Sequence, residues 1–286
     1  RTDEDGLIHI GLGDWCPVDG GEPKAPLELT DSVMAMDIAN KISVLFDAVN
    51  MPAQRDFAKC VAEQFKAAVR RHLIDFGTMT VAGNCQTSQA MCIYYGVFTE
   101  TEAGTAFQRL LEMVHEKDDH LDVGVLGGRV LFHVLTKFGC TELALKMIAR
   151  PDYPSYGNWI ARGATTLWEN FDPVTVSSTN HHFWGDISAW FIKSLAGIRF
   201  NPNGNDIRKV DLRPSFVSAL DFAEGWYEAP DGRIVSRWEK QGDEILFSVE
   251  VPENVRATLF LENGYVLENG LAFAPVKTGQ YKVRRK

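Results

Sequence analysis

The chain has 286 residues, 45% of them hydrophobic, which is enough apolar material for one large globular domain or two ordinary ones. The formal net charge is −9 and the lysines and arginines are scattered, so no basic stripe could neutralise a phosphate backbone and nucleic acid is not an expected partner. No apolar run approaches the roughly 20 residues that cross a bilayer, so we expect no membrane span.

The cysteines do not have the spacing of a metal site. There are five, an odd number, at Cys16, Cys60, Cys85, Cys92 and Cys140. Cys85 and Cys92 are not at a Cys-x-x-Cys spacing, and no histidine lies at zinc-finger distance from them. We therefore expect buried free thiols and neither a metal nor a cofactor.

The first two-thirds of the chain has helical periodicity, which predicts an all-α region from about residue 30 to residue 197. One apolar stripe runs from Met34 to Val49 and a second from Phe57 to Val69, with a break at Asn50-Met51-Pro52 between them, so we expect two long helices packed together. Thr99-x-x-Glu102 has the form of a capping box and predicts the start of a third helix. Further helices are predicted at 88–95, 125–138, 141–149 and 186–196.

Beyond residue 200 the apolar period changes from 3.6 to 2, which predicts a separate β domain. Strand-like runs lie at 207–213, 218–228, 233–240, 245–251, 256–262 and 280–285. Hairpin turns are predicted at Pro230-Asp231-Gly232, Gln241-Gly242-Asp243 and Glu262-Asn263-Gly264, where glycine or asparagine supplies the positive φ. Residues 200–205 are rich in turn formers, so we predict two domains, residues 1–199 and 200–286. The second should be an antiparallel β-sandwich.

Four loops concentrate aromatic and acidic residues. They are Gly13-Asp14-Trp15, the segment 153–159, the segment 165–171 and the segment 180–186. A sugar pocket needs such residues, because pyranose C–H bonds pack on indole faces and hydroxyls bind charged or amide groups. Any single tryptophan considered alone, however, is more often part of a core than a sugar platform.

Two positions in these loops have alternative interpretations. Glu169 lies between Trp168 and Phe171, and a carboxylate in apolar company is either a helix-cap acceptor or a functional acid or base. His181 and His182 are adjacent, so in a regular element they cannot both face one pocket. One would be a core histidine and the other a ligand to substrate.

Several motifs, in their order along the chain, resemble the C-terminal half of the bacterial α-L-rhamnosidases of glycoside hydrolase family 78. The most specific are Gly163-Ala164-Thr165-Thr166-Leu167-Trp168-Glu169 and, downstream, Asn180-His181-His182-Phe183-Trp184-Gly185. Others are Gly13-Asp14-Trp15, Asn84-Cys85-Gln86-Thr87-Ser88, Tyr153-Pro154-Ser155-Tyr156-Gly157 and Leu195-Ala196-Gly197-Ile198. The resemblance spans nearly the whole chain, including the β domain.

The resemblance implies part of an (α/α)6 toroid, followed by the β-sandwich, that cleaves a terminal α-linked L-rhamnose with inversion. By the same resemblance, Glu169 is the general base, Asp14 and Trp15 line the sugar pocket, and His181 contacts the substrate. Trp168 is a weaker candidate for substrate binding. The expected partner is a rhamnose-containing glycoside or polysaccharide.

The family's general acid lies in an upstream motif that nothing before Gly13 resembles, so we expect this chain to carry the base without the acid. The sequence begins at Arg1 without an initiator methionine, which suggests a processed or excised piece. A periplasmic or extracellular location is favoured over a cytoplasmic one, and pairing with a second copy is possible. Two alternatives stay open: a toroidal glycosidase for another sugar, and a non-catalytic carbohydrate-binding or scaffold fragment.

Overall fold

A computed structural model of the chain describes residues 2–172, 174, 178–201 and 206–286. The helices are α1 (Leu27–Ala48), α2 (Pro52–His72), α3 (Gln86–Tyr94), α4 (Glu100–His115), α5 (Val125–Lys137), α6 (Thr141–Ala149), α7 (Tyr156–Ala161) and α8 (Asp186–Trp190). A short hairpin of β1 (Ile74–Asp75) and β2 (Thr80–Val81) separates α2 from α3, and α8 continues as a π-helical turn over Phe191–Ala196. No described helix is both long and apolar enough to cross a membrane.

The predicted pair of long helices is confirmed, but its predicted apolar stripe does not form the core. α1 and α2 pack against each other. The buried residues of α1 include Leu29, Val33 and Met36, whereas Leu45 of the predicted stripe is 65% exposed. α1 carries apolar side chains on more than one face, so its period identifies a helix without identifying which face is buried.

The capping box that begins α4 also connects that helix to α2. The Thr99 side chain accepts from the Glu102 backbone N–H, and the Glu102 carboxylate accepts from the Thr99 N–H at 2.8 Å. The same carboxylate binds both terminal nitrogens of Arg70, at 2.7 and 2.9 Å. One side chain therefore caps α4 and binds α2, a bidentate geometry that is among the stronger ion pairs.

The C-terminal part forms two sheets, as expected for a small sandwich. Its strands are β3 (Ile198–Phe200), β4 (Lys209–Leu212), β5 (Phe222–Ala229), β6 (Gly232–Gln241), β7 (Glu244–Glu250), β8 (Arg256–Phe260), β9 (Tyr265–Leu267), β10 (Phe273–Val276) and β11 (Gly279–Arg285). The sheet orders are β10-β8-β4-β3 and β5-β6-β7-β11-β9. All pairs are antiparallel except β4 with β8, which are parallel. Ile234, Trp238 and Phe247 are fully buried in this part.

Two of the three predicted hairpin turns are confirmed. Asp231 lies between β5 and β6, and Gly242 lies between β6 and β7, and each pair of strands is antiparallel. The third turn, with Asn263 at φ 56° and Gly264 at φ 79°, has the predicted backbone. It connects β8 and β9, which belong to different sheets, so it is not a hairpin. Turn chemistry fixes the local backbone, whereas strand pairing depends on distant partners.

The structure divides into two compact units. The first comprises residues 1–138 and 143–186, and the second comprises residues 139–142 and 187–286. The division falls before the border predicted at residues 199 and 200, because the π-helical turn that follows α8 contacts β5 and β6. The predicted linker residues 202–205 lie outside the described residues.

The cysteines are free thiols, as expected, but not all are buried. Cys85 and Cys92 are buried, Cys16 and Cys140 are half-buried, and Cys60 is exposed on α2. Cys60 points away from the buried alanine face of its helix, so its apolar neighbours in the sequence do not cover it.

Candidate active site

Glu169 lies in a segment without helix or strand, yet its backbone is held by a facing segment. The Glu169 N–H donates to the Ser178 carbonyl at 2.9 Å, and the His181 N–H donates to the Leu167 carbonyl at 2.8 Å. These two bonds pair the segment around Glu169 with the one around His181. The predicted site residues Glu169 and His181 therefore lie on adjacent, hydrogen-bonded segments. Both residues are half-buried.

The ring of His181 is oriented by its own loop. Its Nδ1 accepts the backbone N–H of Phe183 at 3.3 Å, and the Phe183 ring lies edge-on to it at 3.9 Å. In a neutral imidazole this leaves the proton on Nε2, which makes Nε2 a donor. The His182 ring is parallel to that of His181, with ring centroids 5.2 Å apart. The two residues lie in a loop, so the opposite orientations expected of neighbours in a regular element do not apply to them.

A cluster of buried aromatic rings supports the Glu169 segment. Trp159 stacks on Phe171 at 4.0 Å, and Trp184 meets Phe171 edge-on at 4.7 Å. All three are 2% exposed or less. The Trp184 indole N–H donates to the Glu169 carbonyl at 2.8 Å, and that of Trp159 donates to the Asn170 carbonyl at 3.2 Å. These two tryptophans belong to the core, and they hold the backbone at and after Glu169.

Trp168 packs near Trp159 and Arg162. Its ring lies 6.2 Å from that of Trp159, and the Arg162 guanidinium lies over it at 4.9 Å. These contacts account for its half-buried position. That Trp168 touches substrate stays a prediction.

Asp14 is buried beside the start of α5. Its side chain is 2% exposed, and its two oxygens accept from the backbone N–H groups of Gly124 (2.7 Å), Leu126 (2.9 Å) and Gly127 (3.0 Å) and from the Thr87 hydroxyl. Burial raises the pKa of Asp14, and these donors partly offset that rise. Its carboxylate thus binds the free N–H groups at the start of α5, and that Asp14 lines the sugar pocket stays a prediction.

Trp15, the next residue, is 46% exposed and lines a cavity of about 250 Å³. Asn170 and Asp172, from the segment that follows Glu169, line the same cavity, as does Glu22. The loop of Trp15 and the loop of Glu169 therefore border one cavity. The sequence analysis named neither residue as a site candidate, although Asn170 lies within the aromatic and acidic segment 165–171 and Asp172 directly follows it.

Cys16, next to Trp15 in the chain, also lines this cavity. Burial raises the pKa of its thiol to about 11, and the negative charge of Glu169 contributes to that rise. A larger depression of about 820 Å³ lies along the β1–β2 hairpin and α4 and contains none of the predicted site residues. The smaller cavity is the better candidate for a sugar-binding site. It has an exposed indole and adjoins the segment of Glu169.

Known proteins match this chain over almost its whole length. Residues 1–195 match the family described as the bacterial alpha-L-rhamnosidase 6 hairpin glycosidase domain, and residues 197–268 match the bacterial alpha-L-rhamnosidase C-terminal domain. A curated alpha-L-rhamnosidase of Alteromonas sp. (strain LOR) is 31% identical over 200 residues, which cover 66% of this chain and 22% of that protein. One of Streptomyces avermitilis is 25% identical over 268 residues, covering 90% of this chain and 25% of that protein.

Solved structures give the same fold. The crystal structure of Streptomyces avermitilis alpha-L-rhamnosidase complexed with L-rhamnose matches with a TM-score of 0.86 at 21% identity, over 99% of this chain and 29% of that one. The alpha-L-rhamnosidase from Dictyoglumus thermophilum matches with a TM-score of 0.86 at 24% identity, over 98% of this chain and 34% of that one. The chain thus spans about a quarter to a third of these relatives. With a family model matched over two-thirds of its length, this chain belongs to the bacterial alpha-L-rhamnosidase 6 hairpin glycosidase family.

Proposed function

We propose that this chain supplies the general base, Glu169, of an inverting glycosidase, and that the complete protein releases terminal α-L-rhamnose from rhamnosides. The observation that carries the proposal is the position of Glu169. Its backbone is held by Ser178 and Trp184, and its segment borders a cavity with the exposed indole of Trp15. A glutamate whose backbone is held in a segment that borders an indole-lined cavity fits the requirements of sugar hydrolysis.

Each remaining residue has a role in this mechanism. Glu169 takes a proton from the attacking water, while a carboxylic acid on the opposite face of the sugar protonates the leaving oxygen, about 6.5–9.5 Å away. The Trp15 indole packs against the C–H face of the ring. The Nε2–H of His181 donates to a sugar hydroxyl, and Asp14 fixes the loop of Trp15 from behind. The acid is expected outside this chain, so the chain alone should hydrolyse rhamnosides at near background rate.

The test is hydrolysis of p-nitrophenyl α-L-rhamnopyranoside by the complete encoded protein and by this chain, beside a panel of other nitrophenyl glycosides. Glu169→Gln keeps the shape of the side chain and removes the base. In the complete protein it should lower kcat by about 10²–10⁴. The matched control is Glu63→Gln, an exposed glutamate on α2, which should change nothing. NMR of the first-formed sugar tests inversion.

Three results would contradict the proposal in different ways. If Glu169→Gln hydrolysed at the unaltered rate, the general-base role would be wrong. Turnover of another glycoside without turnover of the rhamnoside would support a glycosidase but contradict its specificity for rhamnose. Rhamnoside binding without turnover of any substrate by the complete protein would indicate a carbohydrate-binding protein.

A further inference from the structure

We propose that Trp184 is a positioning residue for Glu169, whose indole N–H fixes the direction in which the Glu169 side chain leaves its loop. This inference rests on the proposed role of Glu169 as the base. Trp184 is 2% exposed, and it is not among the residues that line the cavity beside Trp15. It would therefore act through Glu169 rather than on the substrate.

The first step of the argument is that both main-chain polar groups of Glu169 are held. The N–H bonds to the Ser178 carbonyl at 2.9 Å and the carbonyl accepts the Trp184 indole N–H at 2.8 Å. In a helix or strand such bonds come from the regular backbone hydrogen bonds of that element, but the segment around Glu169 is neither helix nor strand. A side chain therefore supplies the bond that fixes one of the two peptide planes flanking the Glu169 α-carbon.

The second step is that the donor is itself rigid. A Cβ on Gly128 of α5 would lie 2.6 Å from the Trp184 ring, so the ring lies directly on the backbone of that helix. Phe171 meets the ring edge-on at 4.7 Å, and the Tyr156 hydroxyl donates to the Trp184 carbonyl at 3.1 Å. Two contacts therefore fix the indole and one fixes the Trp184 backbone, so the position of the Glu169 peptide depends on that of α5.

The third step is the sensitivity of catalysis to such a position. A misplacement of about 1 Å in a catalytic group can lower the rate about 10²-fold. Without the indole N–H, the Glu169 carbonyl would lose a buried donor, and the loop would shift to find water or another partner. The carboxylate would remain present but would point away from the attacking water more often. The expected signature is a lower kcat with little change in KM.

The test is Trp184→Phe in the complete encoded protein, because phenylalanine keeps an aromatic ring and removes only the N–H and part of the volume. The matched control is Trp238→Phe. Trp238 is 0% exposed on β6, and its indole N–H donates to the Leu195 carbonyl at 2.8 Å, so it loses the same kind of bond in the second unit. Both variants should lower the unfolding midpoint comparably. Only Trp184→Phe should lower kcat on nitrophenyl rhamnoside, by about 10- to 100-fold, with KM within about twofold.

A double-mutant cycle separates positioning from a general structural effect. If Trp184 acts through Glu169, then Trp184→Phe should have no further effect on kcat in a Glu169→Gln background. Gly128→Ala provides a second perturbation, because its Cβ would displace the whole indole without chemically removing the N–H donor. It should reproduce the loss of kcat if Trp184→Phe does not fold.

The inference is overturned if Trp184→Phe has the kcat of Trp238→Phe, or if its effect persists in full in the Glu169→Gln background. Either result, together with the expected fall of kcat in Glu169→Gln, leaves the proposed function intact. A fully active Glu169→Gln variant is a different failure, since it removes the proposed function and this inference with it.

Discussion

Asp14→Asn tests whether one buried carboxylate holds the candidate site together. Asn keeps the shape but replaces one oxygen by an NH2 group, which would face donors such as the Gly124 N–H at 2.7 Å or the N–H groups of Leu126 and Gly127. Losing charge-assisted bonds costs about 1.5–3 kcal/mol each, and the desolvation that raises the pKa of Asp14 offsets part of this loss. We therefore expect Asp14→Asn to lower the free energy of unfolding of the first unit by about 2–3 kcal/mol.

The assay is urea unfolding combined with hydrogen exchange at the Leu126 and Gly127 amides, which should exchange faster in Asp14→Asn. The matched control is Asp31→Asn. Asp31 also accepts two backbone N–H groups, from Ile10 at 2.8 Å and Gly11 at 2.6 Å, but in an exposed setting. It should cost less than about 1 kcal/mol. If both variants cost the same, or if the two amides keep their protection, the capping role of Asp14 is wrong.

Two further predictions concern titration and need no enzyme activity. Arg70 holds the pKa of Glu102 at about 2, below its ordinary 4.5, so the ion pair stabilises the fold above pH 4.5 and is lost as pH falls toward 2. The difference in unfolding free energy between wild type and Glu102→Gln should be about 1–2 kcal/mol at pH 7 after allowance for solvent screening, and it should shrink toward pH 2; a difference independent of pH would contradict this. The charge of Glu169 contributes to the raised pKa of Cys16, so Glu169→Gln should speed alkylation of Cys16 by iodoacetamide at pH 9 and leave the exposed Cys60 unchanged. Equal rates at Cys16 in both proteins would mean that the thiol and the carboxylate are not close.

Local chemistry in the sequence determined where elements begin, end and turn. The capping box of Thr99 and Glu102 marked the start of α4, and the change of apolar period near residue 200 separated the helical from the β-rich part. These features depend on neighbours within a few residues, so they can be read without a fold. The motif around Glu169 and the histidine pair also identified two loops that the structure pairs, because the family resemblance carried them together.

Only the tertiary structure decided which side chains meet across long stretches of chain. Asp14 and Gly124 are 110 residues apart, so no pattern in the sequence revealed that the Asp14 carboxylate binds the N–H groups at the start of α5. The exposed stripe of α1 follows from the same limitation, since periodicity does not say which face finds a partner. In the sequence, nothing distinguishes Trp184 from other aromatic loop residues. The structure shows that its indole N–H donates to the Glu169 carbonyl. Burial and hydrogen bonding at these positions are set by partners that only folding brings together.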